Sequence, residues 1–176
     1  MMLVTNQQKL ALEVLENLGG VRLYQLAAFL RPVFCTERPD IAPRLAAALI
    51  RQMRLRNMEL CEDGDLIFLP KRKPEPALLE AVDVMLELSD EAPVDYRLGR
   101  PPILLHFSVQ EQKARLFIVA KCGADLSAVE LHHTERIILL FDGQSQTQAL
   151  PVSNKQFYAV RQSGGKHRFF ALNGQT

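Results

Sequence analysis

The sequence predicts an α+β protein in two parts, on three observations. Helical apolar periodicity dominates residues 1–56, a short hairpin signal follows it, and strand-like apolar runs fill most of the second half. Between the halves, Lys71-Arg72-Lys73 stands between Pro70 and Pro74. Proline disfavours helix in the residue before it and donates nothing to a sheet. The segment 71–76 therefore reads as a stiff basic linker joining domains at 1–70 and 77–176.

Thr5-Asn6-Gln7-Gln8 has the capping-box form and opens a helix over 6–18, with Leu10, Ala11, Val14, Leu15 and Leu18 at helical spacing. Gly19-Gly20 stops it. A second helix is expected over Leu23–Leu30, then a loop over 31–40 that holds two prolines. Asp40 is placed to cap a third helix reaching residue 56. At about 100° per residue, Ala42, Leu45, Leu49 and Met53 gather on its core side. Arg44, Arg51 and Arg54 fall opposite, with Ala47 and Ala48 beside them, and no acid occurs between Asp40 and Glu59. Guanidinium groups on one solvent face, without carboxylates to neutralise them, suit phosphate or guanine recognition. Equally, such a face serves solubility alone.

Met58–Cys61 and Leu66–Leu69 flank Glu62-Asp63-Gly64-Asp65, and Asp-Gly between apolar runs is a hairpin signal. Three helices, the last basic outside, followed at once by a hairpin, is the order of a winged helix-turn-helix domain. Its partner would be duplex DNA. Arg44, nearest the helix N-terminus, would read bases, while Arg51, Arg54 and Arg56 would meet phosphate. Lys71, Arg72 and Lys73 would add contacts from the linker. The acids of the wing would repel phosphate and turn the hairpin away from DNA.

The second half opens with a helix over 76–88. Strands follow at 103–109 and 114–121, joined by a hairpin at 110–113, then a second helix at 125–133 and a central strand at 136–141. Further strands are expected at 149–152, 156–161 and 168–172. This helix, strands, helix, strand order is that of a degenerate restriction-endonuclease-like core. In such a site two carboxylates hold Mg²⁺ and a lysine assists the attacking water. Lys121 is suitably placed, and Asp95 and Glu111 are available acids. However, Val119 stands where the second carboxylate is required, so no catalytic residue is assigned.

No metal site is assigned either. His106, His132, His133 and His167 lack ligand spacing, and read as surface or helix-end residues. Cys122, before Gly123 at a strand end, has no partner histidine at a recognisable spacing. The sequence implies no cofactor.

The formal net charge of +1 excludes a uniformly basic nucleic-acid coat, although the linker triplet is locally basic. Residues 1–70 carry eight Lys/Arg and eight Asp/Glu, and residues 74–176 carry ten and twelve. No apolar run is long enough to span a bilayer and no secretory signal opens the sequence. Three cysteines without a CxxC fit reduced thiols in a cytoplasm.

Pro102-Ile103-Leu104-Leu105-His106-Phe107, Phe117–Ala120 and Glu135–Gly143 resemble a known group. They are similar to uncharacterised accessory proteins of bacterial conjugative transposons and other mobile elements, themselves loosely similar to replication-relaxation proteins. The resemblance implies an N-terminal winged helix and DNA handling in a bacterial cytoplasm. It transfers no catalytic residue. The leading expectation is thus a non-enzymatic DNA-binding regulator or accessory factor, whose second domain dimerises or recruits a protein partner. An adaptor without DNA binding ranks next and a divergent metal-dependent nuclease third. A small-molecule sensor is also compatible, but no residue pattern in the sequence nominates its ligand.

Overall fold

The computed structural model describes residues 4–143 and 150–172, and the chain divides into two compact units, Met1–Glu75 and Pro76–Thr176. Together they are α+β, with four α-helices and two sheets among the described residues. None of these helices is long and apolar enough to cross a membrane.

In the first unit, α1 (Asn6–Leu18) opens on the expected capping box. The Gln8 N–H donates to Thr5 Oγ1 at 3.2 Å, and the Thr5 N–H donates to Gln8 Oε1 at 3.0 Å. Ala11, Val14, Leu15 and Leu18 form its buried stripe, and Gly19, at φ 77°, closes the helix onto the Leu15 carbonyl. Gly20, expected only to end the helix, instead opens a short strand, β1 (Gly20–Arg22). A Cβ at Gly20 would meet the Phe68 Cβ at 2.5 Å, so glycine is what lets this strand approach its neighbour.

α2 (Leu23–Phe34) runs one turn beyond the expected stop at Leu30 and includes Pro32. Proline is costly in a helix interior, but here it lies in the final turn. The Cys35 N–H still closes onto the Arg31 carbonyl at 3.1 Å, and Phe29, Leu30 and Cys35 are buried. Tertiary packing overrides the local rule. Asp40 does not cap the next helix either. It lies in a 3₁₀ turn (Pro39–Ile41), 3.6 Å from Arg38, and α3 (Ala42–Leu55) starts behind it with Pro43 in its first turn and no side-chain cap.

The buried stripe of α3 is Ala42, Ala46, Leu49, Ile50 and Met53, whereas Leu45 is half-buried on its flank. That rotation centres the opposite, exposed face on Arg44, Ala48, Arg51 and Leu55. β2 (Cys61–Asp63) and β3 (Leu66–Phe68) then form the hairpin, tightened at Gly64 with φ 63°. The expected arms shift, because Glu62 and Asp63 lie in β2 itself and pair with Ile67 and Leu66. The sheet order is β1-β3-β2, all antiparallel, which makes β3 central.

In the second unit, α4 (Pro76–Leu88) buries Leu79, Val82 and Met85. A six-stranded sheet has the order β4 (Asp95–Leu98), β5 (Ile103–Val109), β6 (Arg115–Lys121), β7 (Arg136–Phe141), β8 (Gln156–Arg161) and β9 (His167–Ala171). β4, β5 and β6 form an antiparallel meander, β6, β7 and β8 run parallel, and β9 returns antiparallel. α4 packs against β5, β6 and β7. Residues Ile118, Ala120, Ile137 and Leu139 build a cluster with Leu126, against which Val129, Leu131 and Tyr158 pack.

Two expected elements are absent. Residues 125–133 are not a helix: Asp125 Oδ1 accepts the Ser127 N–H at 2.9 Å, and the Val129 N–H closes a turn on the Leu126 carbonyl at 3.0 Å. An acceptor side chain two residues before its donor favours a turn over a helix. The helix, strands, helix, strand order read from the sequence therefore lacks its second helix. Residues 150–152 are not a strand either, because the Gln156 amide takes both the N–H and the carbonyl of Leu150, at 2.9 and 3.0 Å. Ala149, the start of that expected strand, lies outside the described residues.

Candidate nucleic-acid interface

The first unit contains eight arginines, and the structure sorts them. Arg22 Nη1 lies 2.6 Å from Asp65, Arg38 is 3.6 Å from Asp40, and Arg54 Nη1 is 3.0 Å from Glu62. Arg56 Nη1 donates to Gln8 Oε1 at 3.0 Å, and Arg72 Nη1 to the Glu16 carbonyl at 3.3 Å. Arg31 is also engaged. Of the eight, only Arg44 and Arg51 have no hydrogen-bond or ion-pair partner among the described residues. Both are exposed on α3, two turns apart, with the exposed Ala47 and Ala48 between them. Leu55, 76% exposed, extends the same face by one turn.

The structure thus separates the residues that the sequence grouped. Arg44 and Arg51 share one open face. Arg54 sits at its edge, held by the hairpin, and Arg56 turns toward α1. The basic triplet lies within the first unit and contacts it through Arg72 and Lys73. Lys73 Nζ is 2.6 Å from Asp63 and 6.0 Å from the Phe68 ring centre, Arg72 reaches α1, and Lys71 is exposed at φ 63°.

These contacts also change the electrostatics of the hairpin. Each of its acids is matched: Glu62 by Arg54, Asp63 by Lys73 and Asp65 by Arg22. The Lys73 hydrogen bond and charge hold the Asp63 carboxyl below its usual range. The acidic hairpin is therefore not a bare negative tip, and the repulsion expected from sequence is offset locally. Arg22 was not among the expected residues; its only sequence signal is its place at the start of α2.

The catalytic alternatives are not assembled. In register, Asp95 faces Ser108, which faces Leu116; Lys121 lies five residues further along β6 and two strands away. At about 3.3 Å per residue, that is roughly 16 Å along the strand alone. Glu111 is ion-paired with Arg115, and Val119 is fully buried. Cys122 is buried, and burial together with Asp142 pushes its thiol up, opposite to the activation a nucleophile needs.

Two of the four histidines depart from the surface reading. The His167 side chain is fully buried and His106 is half-buried on β5. His132 and His133 are exposed, but on a turn rather than a helix, with ring centres 4.5 Å apart. No group of three His, Cys, Asp or Glu among the described residues could hold a metal ion. No family model matches the chain, and neither a curated protein nor a solved structure matches it.

Proposed function

We propose that the first unit is a winged helix that binds duplex DNA through the outer face of α3. The protein is then a non-enzymatic DNA-binding regulator or accessory factor, of the kind that mobile elements carry, with the second unit serving dimerisation or partner binding. The carrying observation is the sorting of charge: of the eight arginines, Arg44 and Arg51 alone have no partner among the described residues, and they share one exposed helix face. Guanidinium groups left open on a solvent face are free to replace counterions on a phosphate backbone. The small side chains of Ala47 and Ala48 allow that face to approach a groove closely. The order β1-β3-β2 beside three helices supports the winged-helix assignment.

Fluorescence anisotropy with mixed-sequence duplex DNA, titrated across salt, tests this reading. We expect dissociation constants of about 10⁻⁴–10⁻⁶ M at physiological salt, weakening steeply as salt rises. Arg44→Ala with Arg51→Ala should weaken binding to every sequence and flatten the salt dependence by about 0.9 for each phosphate no longer neutralised. Unchanged affinity and slope would remove α3 from the interface. Absence of binding even at low salt would favour the adaptor reading, for which the exposed Leu55 in the same face is the supporting observation.

A further inference from the structure

We propose that the second unit binds a small phosphate- or carboxylate-bearing ligand with an apolar portion, in the cavity between β4, β5 and residues 128–130. The cavity is a cleft about half open to solvent, with a volume of about 720 Å³, within the range of small-molecule sites. Arg97, Arg100 and His106 supply its basic side, Ile103 and Val129 its apolar side, and Glu130 one wall.

Charge sorting again singles out the site. The second unit contains six arginines. Arg115 pairs with Glu111, Arg161 with Asp83, and Arg136 and Arg168 lie over the rings of Phe117 and Phe170. Arg97 and Arg100 have neither a hydrogen-bond or ion-pair partner nor a ring beneath them among the described residues, and both line this one cavity. Two unpaired guanidinium groups at one cavity present several N–H donors in fixed forks, the geometry that recognises carboxylate or phosphate.

His106 is the direct cross-strand neighbour of Arg97, and its Nδ1 lies 3.8 Å from Glu135. Burial first, and Arg97 as well, disfavour the imidazolium, while Glu135 favours it. An anion seated between His106 and the two arginines would offset the charge of Arg97 and add an attraction that favours the imidazolium. The apolar side matters for the class of ligand. Ile103, only 4% exposed, forms the floor of the cavity, while Leu98, 39% exposed, and the half-buried Val129 present apolar surface to it. A bare anion leaves that surface without a partner, whereas a substituted phosphate or carboxylate covers it. The proposal is independent of whether α3 binds DNA.

The test is NMR titration of the histidine ring protons of the full chain with phenyl phosphate, inorganic phosphate and, at matched ionic strength, potassium chloride. The resonance missing from His106→Gln should shift saturably with phenyl phosphate, more weakly with inorganic phosphate and not saturably with chloride. Its titration midpoint should rise when phenyl phosphate is bound. Arg97→Ala with Arg100→Ala should weaken binding about tenfold or more. Glu130→Gln, which removes a negative charge from the cavity wall, should tighten it, and Arg168→Ala should leave it unchanged. A flat response to phenyl phosphate in the folded wild type overturns the proposal. So does an equal response in the double arginine variant. Displacement of bound phenyl phosphate by duplex DNA would assign the anion site to backbone phosphate and overturn the small-ligand reading.

Discussion

His167 and Glu87 are joined twice: the imidazole Nδ1 lies 3.0 Å from Glu87 Oε1, and the His167 backbone N–H donates to Glu87 Oε2 at 2.9 Å. The other ring nitrogen is 3.2 Å from Glu80, and Arg161 Nη2 is 2.8 Å from Asp83. Three acids at one face of α4 thus fasten the last two strands of the sheet to the helix that begins the unit. Hydrogen bonds to charged groups at buried sites are worth more than the average neutral one, and the fully buried imidazole has no water to replace a missing partner. His167→Ala should therefore destabilise the second unit by about 2 kcal/mol. Urea unfolding followed by far-ultraviolet circular dichroism measures this, and a loss below about 0.5 kcal/mol would show the cluster to be energetically idle.

If α3 binds duplex DNA as proposed, releasing an arginine should strengthen that binding. Glu62→Gln removes the charge that holds Arg54 at the edge of the α3 face. The expected result is tighter binding at low salt and a salt slope steeper by about 0.9, as for one additional phosphate neutralised. An unchanged slope in the anisotropy titration would mean that Arg54 lies outside the interface.

Thiol labelling should be selective. Cys35 and Cys122 are buried and Cys61 is half-buried on β2. Burial pushes the Cys122 thiol up, so little thiolate is present there at neutral pH. An aromatic disulfide reagent should titrate Cys61 quickly in the native protein and the other two only on unfolding. Fast labelling that persists in Cys61→Ser would contradict the burial of the remaining pair.

The pH dependence has a definite sign at His106. Its folded value lies below the ordinary 6.5, chiefly because of burial. The unfolded chain therefore binds this proton at higher pH than the folded one. The stability contribution is complete above 6.5 and declines as pH falls toward the lower folded value. His106→Gln should flatten that part of the decline in urea midpoints measured across pH. An identical profile would show that His106 does not titrate differently on folding.

Gly20→Ala should disrupt the pairing of β1 with β3, because the added Cβ meets both the Phe68 side chain and the Ile67 carbonyl. A loss of about 1–3 kcal/mol is expected, the usual cost of overpacking. Thermal unfolding of the variant reads it directly, and a wild-type melting curve would mean that the strand separates without cost.

What the sequence disclosed follows from range. α1, α3 and α4 carry their own periodicity, and the capping box at Thr5 and the turn at Gly64 are local chemistry, so all were legible. β1 and β4 were not. Gly20-Val21-Arg22 is too short to alternate and exists because the distant β3 pairs with it, and Asp95-Tyr96-Arg97-Leu98 buries only Tyr96, so its pairing with the neighbouring β5 leaves no alternating pattern to read. The same limit applies to the site. The outward arginines of α3 were visible from angular spacing, but their sorting was not. Which of them stays open depends on Glu62 in the hairpin and Gln8 in α1, partners that meet them only on folding. The Arg97 and Arg100 cavity was invisible for that reason too: the segment that walls it reads as a helix and folds as a turn.

The parallel pairing of β6 with β7 has a consequence for synthesis. The meander through Lys121 forms from adjacent hairpins, whereas Phe117 finds its partner Arg136 only after the intervening segment has been made. In that interval a growing chain exposes the raw edge of β6, with Phe117, Ile118 and Val119 side by side. Nascent chains stalled before Arg136 are expected to associate with one another or with chaperones, and completion of β7 to end that exposure.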